Sequence, residues 1–233
     1  MQKFPHVKFE LDKEVDKFMA SKFLDYRIGA VDYSDGVWEP HPSLKGVTGK
    51  DIYVIDEYFN KFYSNNSLLL NRLVETFTKE WDKIEKEYLK QCSDIFNGLS
   101  FPSGDYIGYV SIINCNPRFL ETSSYQLFYK SKSCIPITAH ELMHFMFYSY
   151  ITRNSSKAKK DEIESSGAWW LISEIFNNVV LDLPEFRELL GGYFEEPHPG
   201  HQEYIEPAKK LYAKAGSIDD FINSLFELTS TNN

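Results

Sequence analysis

Long hydrophobic runs are missing from this sequence. The sequence contains no stretch of 18 apolar residues, the length that could cross a bilayer. Charges recur from Lys3 onward, so the first residues lack the apolar core of a secretory signal. Cysteine is scarce too, since Cys92, Cys115 and Cys134 form no CxxC pair and cannot all be paired within one chain. We therefore expect a cytoplasmic protein with no membrane partner, whose cysteines are small apolar core residues.

Basic residues are also few. The chain has 25 Lys and Arg against 34 Asp and Glu, which gives a formal net charge of -9 and a pI near 5.2. Apart from the short stretch Lys157–Lys160, we find no basic cluster. A surface of this sign repels a phosphate backbone, so we expect no nucleic-acid partner. The sequence predicts no particular oligomeric state.

The length of 233 residues suits a single domain, residues 1–233, with two lobes. Apolar spacings of 3 and 4 predict helices, and runs rich in aromatic or β-branched residues between turn residues predict strands. These patterns predict an amphipathic helix at 67–91, strands at 106–115 and 125–130, and apolar helices at 137–151 and 165–181. We expect an α+β fold, with a small antiparallel or mixed sheet in an N-terminal lobe (1–135) packed on a mainly helical lobe (136–233).

The motif HExxH occurs once, as His140-Glu141-Leu142-Met143-His144. Four residues make about one helical turn, so both imidazoles project from the same face and can chelate one metal ion. Glu141 is rotated by about 100° from His140, so its carboxylate can lie beside the metal and take a proton from water. The sequence therefore predicts His140 and His144 as metal ligands and Glu141 as the general base.

The surroundings of the motif favour the metal. The helix is apolar nearly all round, so most of it should be buried. A buried, unpaired carboxylate costs several kcal/mol or more, whereas a divalent cation supplies the missing charge. The alternative is structural: both histidines would bond to backbone groups, and Glu141 would meet a distant Lys or Arg.

A hydrolytic zinc site normally has three protein ligands and an open position. The metzincin continuation would need Gly at 147 and His at 150, and the chain has Phe147 and Tyr150 there. We expect Glu174 to be the third metal ligand, because it lies in a narrow polar stripe with Ser173, Asn177 and Asn178 on an otherwise apolar helix. Asn178, one turn later, could orient a ligand histidine through a hydrogen bond. The rival ligands are Glu164 and, behind it, Glu162; alternatively, the stripe simply faces solvent.

These residues resemble the gluzincin metallopeptidases, in which a second helix supplies a glutamate, often in a context like WLxE. The matching stretch is Trp170-Leu171-Ile172-Ser173-Glu174, and the likeness covers about residues 125–182. The resemblance implies a zincin-like fold, Zn²⁺ as cofactor, and an edge strand before the motif helix that aligns a peptide. Residues 125–130 are placed to be that strand.

The resemblance further implies hydrolysis of peptide bonds in peptides or proteins, with a Tyr or His donor for the oxyanion. His198, His201 and Tyr204 follow the second helix, and His201 and Tyr204 are our candidate catalytic donors. Two other functions stay open. One is a regulatory protease that cleaves a single substrate, and the other is a non-catalytic zinc-binding interaction module. A fourth protein ligand, such as His198 or His201, would favour the non-catalytic module.

Overall fold

A computed structural model of the chain describes residues 4–28, 31–102, 104–154, 167–192, 197–198 and 200–230. The predicted α+β class is confirmed, and the chain divides into two compact units. The sheet unit comprises His6–Lys83 and Gly104–Cys134. The helical unit comprises Ile84–Ser103, Ile135–Asn233 and the first five residues. Residues 84–103, which the sequence analysis assigned to the N-terminal lobe, thus belong to the helical unit.

The described part of the sheet unit contains three α-helices. They are α1 (Lys13–Phe23), α2 (Asp35–Trp38) and α3 (Ile52–Trp81), with a 3₁₀ turn at Pro42–Leu44. Helix α1 begins after Asp12, whose carboxylate accepts hydrogen bonds from the backbone N–H groups of Glu14 and Val15. Those N–H groups have no partner inside the helix, so this cap stabilises its first turn.

The strands form a four-stranded mixed sheet and a separate two-stranded ribbon. They are β1 (Val7–Glu10), β2 (Arg27–Ile28), β3 (Val31–Asp32), β4 (Tyr106–Ser111), β5 (Arg118–Phe119) and β6 (Ser124–Phe128). The sheet order is β1-β4-β6-β5, and β2 pairs with β3. Strands β4 and β6 are parallel and β5 and β6 antiparallel, so of the two expected sheet types, antiparallel or mixed, the sheet is the mixed one. The connection at 112–123 is long enough to return the chain to the end at which β4 begins.

Strand β6 has neighbours on both sides at its beginning. Beyond its pairing with β4, Tyr125 pairs with Arg118 of β5, and the backbone N–H of Gln126 donates to the carbonyl of Pro117 at 2.9 Å. The prediction that 125–130 is an edge strand is therefore wrong for its first residues. The two-residue strand β5 is too short to give a sequence pattern of its own.

A buried carboxylate joins several elements of the sheet unit. Asp16, on α1, is 1% exposed and accepts hydrogen bonds from the hydroxyls of Tyr63 (2.7 Å) and Ser111 (2.6 Å), from the backbone N–H of Ile112 (2.9 Å) and from the side-chain amide of Gln126 (2.5 Å). Burial raises the pKa of Asp16 to about 6, because these hydrogen bonds only partly offset the loss of solvent.

We expect Asp16→Asn to flatten the dependence of unfolding free energy on pH. The pKa of Asp16 in the folded protein, about 6, lies above the ordinary value of 3.8. Its carboxyl therefore favours the folded state most below pH 3.8, and this advantage is lost as pH rises through 6. The change is on the order of 3 kcal/mol. Urea unfolding of both proteins at pH 4.5 and 7.5 measures about two thirds of this change, on the order of 2 kcal/mol.

The matched control for that experiment is Asp105→Asn. Asp105 is exposed and pairs with Lys8 at 2.8 Å, and hydrogen bonding to Lys8 lowers its pKa. Its replacement should leave the pH dependence of the wild type in place. Equal pH slopes in wild type and Asp16→Asn would show that Asp16 does not carry the effect.

Six helices lie in the described part of the helical unit. They are α4 (Glu85–Ile95), α5 (Ile135–Asn154), α6 (Ala168–Val180), α7 (Pro184–Leu189), α8 (Gln202–Tyr212) and α9 (Ile218–Ser230). The predicted helix at 67–91 is wrong in its bounds, because α3 begins at Ile52 and a break after Trp81 separates it from α4. Asp82 keeps helical dihedral angles. The apolar spacing of 3 and 4 continues across the break through Trp81, Ile84 and Tyr88, so the sequence gives no sign of it.

Helix α5 is surrounded by apolar side chains, as its sequence predicts. All residues from Thr138 to Tyr148 are buried, and the hydroxyl of Tyr88 donates to the carbonyl of Ala139. The aromatic ring of Phe176 on α6 packs against that of Phe147 at a centroid distance of 5.0 Å. Across the described residues, no helix combines the length and the apolar character that spanning a membrane requires.

Candidate metal centre

The motif residues lie on one turn of α5. The Nε2 atoms of His140 and His144 are 2.8 Å apart, and His140 and His144 are 8% and 0% exposed. Glu141, between them in the sequence, is 5% exposed. Two imidazole nitrogens at this distance repel through their lone pairs unless a proton or a cation lies between them. The helix thus presents two nitrogen ligands to one point.

Helix α6 brings Glu174 to the same point. Its Oε1 lies 3.2 Å from Nε2 of His144, and its Oε2 lies 3.4 Å from Nε2 of His140. One ligand atom from each of the three residues lies within 4.8 Å of the others, so the group could hold a metal ion. The rival ligands Glu162 and Glu164 lie outside the described residues.

Helix α6 begins after Gly167, which has a φ of 138° and a ψ of -177°. This backbone conformation is open almost exclusively to glycine, because a Cβ would clash with the neighbouring peptide groups. From this start, two turns of apolar helix lead to Glu174. The position of the carboxylate along α6 therefore depends on a turn that a glycine makes possible.

The polar stripe of α6 faces the protein interior and not the solvent. Ser173, Glu174, Asn177 and Asn178 are all buried. The side-chain amide of Asn177 donates to the carbonyl of His140 at 3.0 Å, so it joins α6 to the ligand helix. The amide of Asn178 donates to the carbonyl of Glu174 at 3.0 Å, so its predicted bond to a ligand histidine is wrong. In a helix, a residue four positions earlier offers its carbonyl to such a side chain.

The charge of Glu174 is stabilised by its two histidine neighbours. Burial alone would raise the pKa of this carboxyl, but the charges of His144 and His140 outweigh burial and hold its pKa well below the usual range. Its Oε2 is buried and makes no hydrogen bond to the described residues. A buried carboxylate oxygen without a donor is costly, and a bound metal ion would satisfy it.

Two further histidines flank the carboxylate. His198 Nε2 lies 3.8 Å from Oε2 of Glu174, and its side chain is 54% exposed. The His201 ring contacts Trp170, one turn before Glu174 on α6, at a centroid distance of 5.1 Å. Burial lowers the pKa of His201, as does the neighbouring His198, so its neutral form is favoured. Both histidines thus lie on the Glu174 side of the centre.

The predicted catalytic donors differ in their surroundings. His201 is buried next to Trp170, and its Nδ1 has no hydrogen-bond partner among the described residues. Tyr204 is buried on the first turn of α8, where its backbone N–H donates to the carbonyl of His201. No contact described for Tyr204 joins it to the three candidate ligands. Of the two predicted donors, only His201 has described contacts with residues next to Glu174, namely Trp170 and His198.

Sequence reasoning missed two residues that support the centre. Tyr148 stacks on His144 with an interplanar angle of 16°, and its hydroxyl lies 2.8 Å from Oγ of Ser173. The spacing could have identified it, because positions 140, 144 and 148 share one helix face. Trp170, which contacts His198 and His201, gave no such signal, because those contacts depend on how the chain returns after α7.

The chain matches no protein family, no curated protein and no solved structure at a significant level. The resemblance to the gluzincins therefore depends on the motif residues alone.

Proposed function

We propose that this chain is a zinc-dependent peptidase with a zincin-like fold. The observation that carries the proposal is the convergence of His140, His144 and Glu174, with Glu141 buried on the helix that carries both histidines. This is one of the known three-ligand sets of hydrolytic zinc sites, which leave one position for water or substrate. The motif helix followed by a glutamate-bearing helix supports the zincin-like assignment.

The distances between the three ligands fit a small divalent ion. Ligands at the usual zinc distances of about 2.0–2.1 Å in tetrahedral geometry lie about 3.3 Å from one another. Here the two imidazole nitrogens are 2.8 Å apart, and the nearer carboxylate oxygen of Glu174 lies 3.2 Å from His144 (Oε1) and 3.4 Å from His140 (Oε2). Imidazole and carboxylate also bind other transition metals, and zinc is proposed because this ligand set is characteristic of zinc hydrolases.

Bound zinc would supply a Lewis acid that polarises the carbonyl of the peptide bond and acidifies water. Glu141 is proposed to accept a proton from the attacking water and then to deliver it to the departing amine. Its burial supports this role, because a carboxylate shielded from bulk solvent exchanges its proton with the groups next to it. His140, His144 and Glu174 hold the ion in place.

His201 is the proposed donor to the negative charge that develops on the carbonyl oxygen. Its neutral ring can donate one N–H, and the indole of Trp170 fixes its position. His198 is a second candidate, because it is exposed and lies nearer to Glu174. Tyr204, the other predicted donor, is the weaker choice because its described contacts do not reach the ligands.

The proposed substrates are peptides or exposed segments of proteins. The three free cysteines agree with the proposed cytoplasmic location.

A second candidate function is a closed, structural metal site in an interaction module. The position of His198 favours it, because a shift of this exposed side chain could make it a fourth ligand. A structural site is closed by four protein ligands and needs no general base. A glutamate buried on the helix of the two histidines is more simply explained by the peptidase, and the number of imidazoles on the metal distinguishes the two functions.

We expect peptide cleavage to depend on zinc. The zinc-loaded protein is incubated with a peptide mixture that varies the residues on both sides of each bond, and mass spectrometry identifies the products. Cleavage should fall to the uncatalysed background when a chelator removes the metal, and stoichiometric zinc should restore it. A zinc-loaded protein that leaves the whole mixture intact, or cleavage that survives removal of the metal, would contradict the proposal.

A further inference from the structure

A second tier of side chains lies behind the candidate ligands. The Tyr148 ring lies beside the His144 ring and almost parallel to it, with centroids 5.9 Å apart and an interplanar angle of 16°. Both side chains are almost fully buried. Neighbouring buried rings restrict each other's rotation, because protein interiors are close-packed. The orientation of the His144 imidazole therefore depends on where Tyr148 is held.

A hydrogen-bond chain holds Tyr148. Its hydroxyl lies 2.8 Å from Oγ of Ser173, and that Oγ lies 2.8 Å from the carbonyl oxygen of Trp170. A serine hydroxyl has one proton, and the carbonyl of Trp170 can only accept, so Ser173 donates to Trp170. Tyr148 is therefore the donor to Ser173. The chain runs from α5 to α6 in a defined direction.

The hydrogen bonds of Tyr148 reach α6 next to the third candidate ligand, Glu174. Ser173 directly precedes Glu174, so any movement of Ser173 relative to α5 also moves the Glu174 carboxylate. The second described side-chain bond between the two helices at this level runs from Asn177 to the backbone of His140. Residues that orient metal ligands in this way typically change metal affinity when they are removed.

We propose that Tyr148 and Ser173 form a positioning clamp, which fixes the His144 ring and the Glu174 carboxylate at the separation that binds the metal. The inference rests on the proposed metal site. Neither residue touches the reacting atoms. Their contribution is to hold two ligands from different helices in register, so that the site needs little rearrangement when the ion enters.

A simpler alternative is that the Tyr148–Ser173 bond stabilises the helical unit without any effect on the metal. Helix α5 offers a matched case. Tyr150, two residues later, is a buried residue whose hydroxyl donates to Asp219 on α9 at 2.8 Å. Tyr150→Phe removes a hydrogen bond of the same length from the same helix, and it acts on a different side of that helix from the ligands.

The test compares Tyr148→Phe, Ser173→Ala, the double variant and Tyr150→Phe in the full chain. Tyr148→Phe keeps the stacked ring and removes only the hydroxyl. Zinc affinity is measured by competition with a chromophoric chelator, and the visible spectrum of the cobalt-substituted protein reports ligand geometry. We expect each clamp variant to bind zinc about 10- to 100-fold more weakly, with an altered cobalt spectrum. The double variant should be no weaker than the weaker single variant, because one bond is lost in all three.

Tyr150→Phe should keep the zinc affinity and the cobalt spectrum of the wild type, even where it lowers the unfolding free energy. The clamp is refuted if Tyr148→Phe binds zinc as the wild type does, or if Tyr150→Phe weakens binding equally. Either result leaves the peptidase proposal standing, provided that the wild type binds zinc. A wild type that binds no metal ends both proposals.

Discussion

Glu141→Gln is expected to lower the rate of peptide hydrolysis by about 10²- to 10⁴-fold, the range for loss of a general base. Glutamine has nearly the same shape, so the buried helix should keep its packing. The amide cannot accept and return a proton at neutral pH. Zinc content should stay at the level of the wild type, because the proposed ligands are His140, His144 and Glu174. The measurement is single-turnover cleavage together with elemental analysis.

Glu188→Gln is the matched control for that variant. Glu188 is an exposed glutamate on α7 of the same helical unit, and its replacement should change neither the rate nor the zinc content. Full activity in Glu141→Gln would remove Glu141 from the mechanism. Loss of zinc in Glu141→Gln would instead assign it to the ligand set.

His144→Ala is expected to cause the largest loss of zinc affinity, more than the roughly 100-fold that marks the upper range for supporting residues. Its Nε2 lies within 3.2 Å of both other ligands, so its removal opens one side of the site. Glu174→Gln should also weaken binding, because the neutral amide is a poorer ligand than the carboxylate. Competition titration with a chelator measures both variants, and activity should fall in parallel.

The zinc affinity of His198→Ala is the comparison for that of His144→Ala. His198 lies outside the group of three ligands, so the open site predicts that this variant keeps its zinc. A loss of affinity in His198→Ala as large as that in His144→Ala would favour the closed structural site. Retention of zinc by His144→Ala would show that the motif does not form the centre.

The features that could be predicted from the sequence are those encoded by spacing along one element. The pair His140 and His144 shares a face because they are four residues apart, and the apolar residues around them predicted that α5 is buried. The polar stripe predicted that Glu174 differs from its neighbours, and the structure brings it to the two histidines. Each of these inferences needs only the geometry of a single helix.

The features that escaped prediction depend on contacts between distant segments. Strand β1 pairs with β4, and β4 runs parallel to β6, which no local pattern specifies. The helix break after Trp81 was hidden because the apolar spacing continues through it. The approach of His198 to Glu174 depends on the path of the chain after α7. The bond between Tyr148 and Ser173 gives no local signal, because the two residues are 25 positions apart.

The most direct test of the account is X-ray absorption at the zinc edge of the zinc-loaded wild-type protein, combined with elemental analysis. The account predicts about one zinc per chain, bound by two imidazoles, those of His140 and His144, together with oxygen ligands that include Glu174. A third imidazole would contradict the open catalytic site and point to closure by His198 or His201. A protein that takes up no zinc even when zinc is supplied would contradict the metal centre itself.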